Sequence, residues 1–126
     1  MRSYVYVVVL VLLGSCSKQE SGTSDTELPV ISLSTPSDGQ VLSAGTPVNI
    51  TGNITDNGTI AEVHIHVTDM NTGTKYLDVH LYPGTSTASF SNHDLVTVAG
   101  TTYKIQVIAI DRGINEARAT IQVSCN

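Results

Sequence analysis

From Pro29 onward, apolar and polar positions alternate with a period of two, the spacing of half-buried strands and not of helices. Strands are predicted at Val30–Leu33, Val48–Ile54, Glu62–Thr68, Lys75–Tyr82, Thr87–Ser91, Thr102–Ile110 and Ala117–Ser124. Turn signals separate them: Pro36-Ser37-Asp38-Gly39, Asp56-Asn57-Gly58, Asn71-Thr72-Gly73, Pro83-Gly84 and Asp111-Arg112-Gly113. Val63, Ile65 and Val67 share one face, and Glu62, His64, His66 and Thr68 share the other. In the strand from Thr102 the odd positions are apolar, but so are Ile108 and Ile110, so that strand is expected to be central and covered on both faces near its end. Seven short strands without a helical stretch predict an all-β fold, a single antiparallel β-sandwich over residues 29–126.

The same pattern breaks twice before Pro29. Val5 to Leu13 is continuously apolar, about half the ~20 residues of a transmembrane helix, with Arg2 ahead of it and Gly14-Ser15-Cys16 behind it. That is the layout of an export signal over residues 1–15. Ser17 to Glu27 then has no apolar residue and reads as a flexible tether, so residues 16–28 form a linker. Leu13-Gly14-Ser15-Cys16 resembles a bacterial lipobox. The resemblance implies that Cys16 carries diacylglycerol and anchors the chain to the outer membrane, on its periplasmic or its surface side. More than one acyl chain makes such an anchor stable. Ser17-Lys18-Gln19-Glu20 is weakly similar to the charged signals that send lipoproteins of Bacteroidetes to the cell surface.

Charge and cysteine content narrow the partners. Removal of residues 1–15 leaves 111 residues with 5 basic and 11 acidic side chains, an unsuitable balance for nucleic acid. With Cys16 lipidated, Cys125 has no intradomain partner, which leaves it as a small filler, an exposed thiol or an intermolecular bridge. The core is expected to consist of Val, Ile, Leu and Tyr, because there is no Trp and Phe90 is the only Phe.

Residues 29 to 124 resemble the bacterial immunoglobulin-like domains of surface lipoproteins and adhesins. The likeness lies in Pro29-Val30-Ile31, the Pro36-x-x-Gly39 turn, Gly45-x-Pro47-Val48-x-Ile50 and Gly52-x-Ile54-x-Asp56 followed by Ile60-x-x-Val63. It lies above all in Ala99-Gly100-Thr101-Thr102-Tyr103 leading to Ile105-x-Val107-x-Ala109-x-Asp111. Members of that family usually continue Asp-x-x-Gly-Asn, whereas Asp111-Arg112-Gly113-Ile114-Asn115 has its glycine one position early. The resemblance implies an immunoglobulin-like sandwich and a role in binding or structure, and it is nearly silent on the ligand.

Four groups of residues carry candidate chemistry. A hairpin centred on Thr72, with Gly73 left-handed, sets His64 opposite His80, His66 opposite Asp78 and Glu62 opposite Tyr82. Opposed Cβ atoms lie ~5 Å apart, close enough for His64, His66, Asp78 and His80 to hold Zn²⁺ or Cu²⁺. The competing reading is a solvated face, on a sheet too flat to supply the outer shell that orients imidazoles. Asp56 and Asp111 are candidate calcium ligands, although an Asp at a strand end more commonly bonds its own turn. His93-Asp94 with Ser89 or Ser91 lacks any nucleophile elbow, so no catalytic activity is expected. Tyr76 and Tyr82 are the aromatic candidates for a binding surface, too few for a strong sugar platform, which favours a protein over a glycan partner. The primary expectation is a non-catalytic, membrane-anchored accessory module, and the rival is a metal-binding lipoprotein built on the histidine face.

Overall fold

The computed structural model describes residue 22 and residues 24–126. The expected signal segment, Cys16 and the first part of the tether lie outside the described residues. Seven strands and no helix are formed among those described: β1 Val30–Thr35, β2 Val41–Leu42, β3 Ile50–Asp69, β4 Lys75–Leu81, β5 Thr85–Asn92, β6 Thr102–Asp111 and β7 Glu116–Cys125.

The strand that makes the sandwich is β3, 20 residues long. Its first half pairs with β1 and β5, and its second half with β4 and β6. Two layers result, β1-β3-β5 and β4-β3-β6-β7-β2, sharing one strand that passes from one to the other. The sequence pattern divides β3 at Asp56-Asn57-Gly58 into two strands and a turn. The structure replaces that turn with a crossing, because Asp56 Oδ2 accepts the Gly58 amide at 3.0 Å and satisfies the signal locally while the chain stays extended. Beyond it, Ala61 is an extra residue between Ile60, opposite Asp111, and Glu62, opposite Ile110. Such a bulge reverses parity. Ile50, Ile54 and Ile60 face inward at even positions, and Val63, Ile65 and Val67 at odd ones.

The count of seven holds because a short strand was added where one was lost. Strand β2 has two residues, too few for any periodicity, and pairs in parallel with β7, the one departure from antiparallel pairing among the strands. The turn before it is held to β7 by Gly39 N–H on the Gln122 carbonyl and by the Gln122 amide on Asp38 Oδ1.

Fully buried Tyr103, Ile50, Ile54, Ile60, Ile65, Ile105, Val63, Val67, Val107 and Val123 fill the space between the layers, with Phe90 lying over Gly52. Ile108 is buried on the opposite face between His64 and Arg118, as its apolar run implied. Cys125 is also buried, so its thiol is a filler of the core and not a surface group.

Candidate functional site

Beyond a bulge next to its turn, the β3–β4 hairpin takes the register that its parity required. Gly73 is left-handed at φ 74°, and the register is His64 opposite His80, Ile65 opposite Val79 and His66 opposite Asp78. The register slips between Val67 and Thr68, leaving Tyr76 as the extra residue of β4. Its ring packs edge-on to Tyr103, with centroids 5.3 Å apart, and so turns toward the core side instead of standing beside the histidines. Tyr82 stays outward, 71% exposed.

On the outer face the side chains form one continuous row of imidazoles and carboxylates. His66 Nε2 lies 3.0 Å from Asp78 Oδ1, which lies 3.2 Å from His80 Nε2. The other nitrogen of His80, Nδ1, lies 3.1 Å from Glu62 Oε1. That oxygen also stands 2.5 Å from His64 Nε2, an enclosed nitrogen. Lys75 Nζ takes the remaining Asp78 oxygen at 2.7 Å. Hydrogen bonding to Glu62, reinforced by Asp78, holds His80 above the usual imidazole range, whereas partial burial holds His66 below it against the pull of Asp78. The bond from His80 in turn lowers Glu62, and that from Lys75 lowers Asp78.

A second cluster closes the end of the sandwich where the tether enters. Carboxylate oxygens of Asp25, Asp56 and Asp111 lie within 4.8 Å of one another. Asp56 and Asp111 are thus brought together as the calcium reading required. Asp25, a residue of the expected linker, joins them, accepting Asn57 Nδ2 on its side chain and Asn115 Nδ2 on its carbonyl. Asp111 already has both oxygens engaged by Asn115, with the amide on Oδ1 at 2.8 Å and Nδ2 on Oδ2 at 2.7 Å. This is the turn-bonding role of such an aspartate.

Burial pushes the Asp111 carboxyl up, but the bonds from Asn115 and from the Gly113 and Ile114 amides outweigh it and hold the group below the ordinary carboxylate range. A depressed folded-state pKa adds stability above the unfolded value, ~3.9, and loses it as pH falls through the folded one. The urea midpoint is therefore expected to fall between pH 5 and pH 3, and to fall less steeply in Asp111→Asn. An unchanged slope in that variant would remove the group from the acid response.

The early glycine of the Asp111–Asn115 turn has a structural consequence. The left-handed position of the turn falls at residue 114, so Ile114 adopts φ 68° while 85% exposed. A β-branched side chain there costs about 1–2 kcal/mol. Allowing for the freer unfolded chain of glycine, Ile114→Gly is expected to stabilise the domain by about 1 kcal/mol, raising the melting temperature by roughly 5 °C. A lower melting temperature would refute the strain. The displaced glycine is visible in the sequence, but the residue that takes the strain is not marked by it.

The third candidate, His93 with Ser91 and Asp94, is only partly assembled. Ser91 Oγ and His93 Nε2 are 3.1 Å apart, but Asp94 is engaged by Asn92 through its side chain and its amide instead of orienting the imidazole.

Two layers joined by a strand that changes sheets, with a buried tyrosine entering β6, define an immunoglobulin-like sandwich. The family described as Bacterial Ig domain matches residues 29–123, and the chain belongs to it. Domains of this family are typically non-catalytic. Among curated proteins none matches the sequence. Of solved structures, a variant of superoxide reductase (neelaredoxin) from Ignicoccus hospitalis is similar with a TM-score of 0.55 at 11% identity, covering 79% of this chain and 80% of that one. OgpA from Akkermansia muciniphila is similar with a TM-score of 0.52 at 13% identity, covering 78% of this chain but only 28% of that one. Likeness at such identities shows the fold alone.

Proposed function

We propose that the chain is a non-catalytic lipoprotein module, tethered to the outer membrane through Cys16, that engages a protein partner at the cell envelope. The observation that carries the binding half is Ile114, an apolar side chain 85% exposed and held in a strained backbone conformation. Strain retained at an exposed apolar tip points to a contact residue. Tyr82 flanks the same end: Gly84 donates to the Ile60 carbonyl, and Ile60 pairs with Asp111 at the base of the Ile114 turn. A glycan platform needs faces for sugar rings, and Tyr76 has its ring against Tyr103, which favours a protein over a glycan. The anchor rests on Leu13-Gly14-Ser15-Cys16 after the apolar run.

The test uses the anchored chain in cells with a photo-crosslinking residue at position 114, and at Thr120 on the exposed face of β7 as a control. A discrete adduct from position 114 alone supports the reading. No adduct, or the same adducts from both positions, overturns it. Labelling with radioactive palmitate checks the anchor: incorporation is expected in the native chain and not in Cys16→Ala, and equal labelling of the two would place the lipid elsewhere or nowhere.

A further inference from the structure

We propose that His64, His66 and His80, with Asp78, form a binding site for a divalent transition-metal ion of the zinc and copper class on the outer face of the β3–β4 hairpin. One ring nitrogen from each histidine lies within 4.8 Å of the others, from residues fixed by strand register and not by loops. Tetrahedral zinc with bonds of ~2.0–2.1 Å sets neighbouring ligand atoms ~3.4 Å apart. Asp78 Oδ1 already stands 3.0 Å from His66 Nε2 and 3.2 Å from His80 Nε2, so two edges of the tetrahedron are nearly in place. The three nitrogens close the remainder by small side-chain rotations, which the partly exposed rings permit.

The objection to a metal on a flat sheet is the absence of an outer shell, and Glu62 removes it. Its carboxylate takes Nδ1 of His80, fixing the tautomer that leaves Nε2 for the metal. A carboxylate behind a metal-binding imidazole is the usual second shell of such sites. The same Glu62 oxygen also stands against His64 Nε2, so one carboxylate lies beside two of the three imidazoles. Two carboxylates beside three neutral imidazoles would offset the charge of a divalent ion. The opposing element is Lys75, whose ammonium holds Asp78 Oδ2 and competes with the metal while leaving Oδ1 free. On the β6 side the neighbours of His66 and His64 are Gln106 and Ile108, neither of them charged.

Calorimetric titration of the full chain in detergent with Zn²⁺ alone tests the site. Saturable one-to-one binding is expected, weakened at least tenfold in His80→Ala and in His66→Gln, and about tenfold in Glu62→Gln through loss of the outer shell. His93→Ala, which removes the one histidine outside the cluster, is expected to bind like the native chain. Lys75→Ala is expected to bind more tightly, an outcome that a misfolded variant cannot imitate. Unsaturable heats, or equal affinities for the native chain, His80→Ala and His66→Gln, would overturn the site. So would equal losses in His93→Ala and His80→Ala.

Discussion

Gly52→Ala is expected to lower the melting temperature by roughly 15 °C, a loss of about 3 kcal/mol. Gly52 lies opposite Phe90 on β5 and next to Leu33 on β1, at the midpoint of the smaller layer. A methyl group there would collide with Phe90 Cζ and with the carbonyl oxygen of Ser32, and would sit 2.9 Å from Phe90 Cε1. The ring has little room to withdraw, because Phe90 is buried and packs into the core of isoleucines and valines. The carbonyl belongs to β1, so moving it separates β1 from β3. Overpacking of this kind has no cheap escape. Pairing the change with Phe90→Leu is expected to recover part of the loss and not all of it, since the Ser32 carbonyl remains. A loss below about 0.5 kcal/mol in chemical denaturation would mean that the strands yield freely, and that Gly52 is not what lets the ring approach the backbone.

What the sequence made legible followed from parity. A hairpin joining odd-faced Val63, Ile65 and Val67 to odd-faced Leu77, Val79 and Leu81 must pair those positions with an even sum. The structure adopts the expected register from Val67–Leu77 outward, although the turn itself closes with Thr68 opposite Lys75 and the extra residue Tyr76 restores the parity. The same periodicity misread β3. A bulge at Ala61 changes the inward face from even to odd, and a change of parity across Asp56-Asn57-Gly58 looks identical to two strands joined by a turn. Only tertiary pairing, with β1 and β5 on one side of the crossing and β4 and β6 on the other, reveals a single strand.

The candidate sites divide in the same way. Contacts within the hairpin could be derived, so the meeting of His64 with His80 and of His66 with Asp78 was in reach. The place of Glu62 behind His80 was not, because direct opposition pairs it with Tyr82 and leaves the diagonal neighbour on its own face aside. Asp25 was beyond reach altogether. Its partners Asn57 and Asn115 are 32 and 90 residues away, and no local pattern announces a linker residue clasped by two distant side-chain amides. Tyr76 was misplaced for a third reason: a single extra residue in β4 turns its ring from the histidine face toward Tyr103.

Tyr103→Phe is expected to cost about 2 kcal/mol and to act on a loop as much as on the core. The ring is fully buried at the start of β6, and its hydroxyl accepts the Val98 amide at 2.8 Å. Removing that oxygen keeps the packing of the ring but strips an amide of its partner, which costs more than an average hydrogen bond contributes. The segment it holds runs into Gly100, left-handed at φ 76°, and is fastened on its other side by Gly100 N–H on the Cys125 carbonyl and the Cys125 amide on the Thr101 carbonyl. The phenol therefore ties the approach to β6 back onto itself, the corner geometry of immunoglobulin-like domains. Amide hydrogen exchange separates this role from simple loss of stability. The Val98 amide is expected to exchange faster in Tyr103→Phe by more than the global destabilisation accounts for, while amides of Ile65 and Val107 in the sheet track the global change alone. Uniform acceleration at all three positions would reduce the hydroxyl to a general contribution and deny it any part in holding the corner.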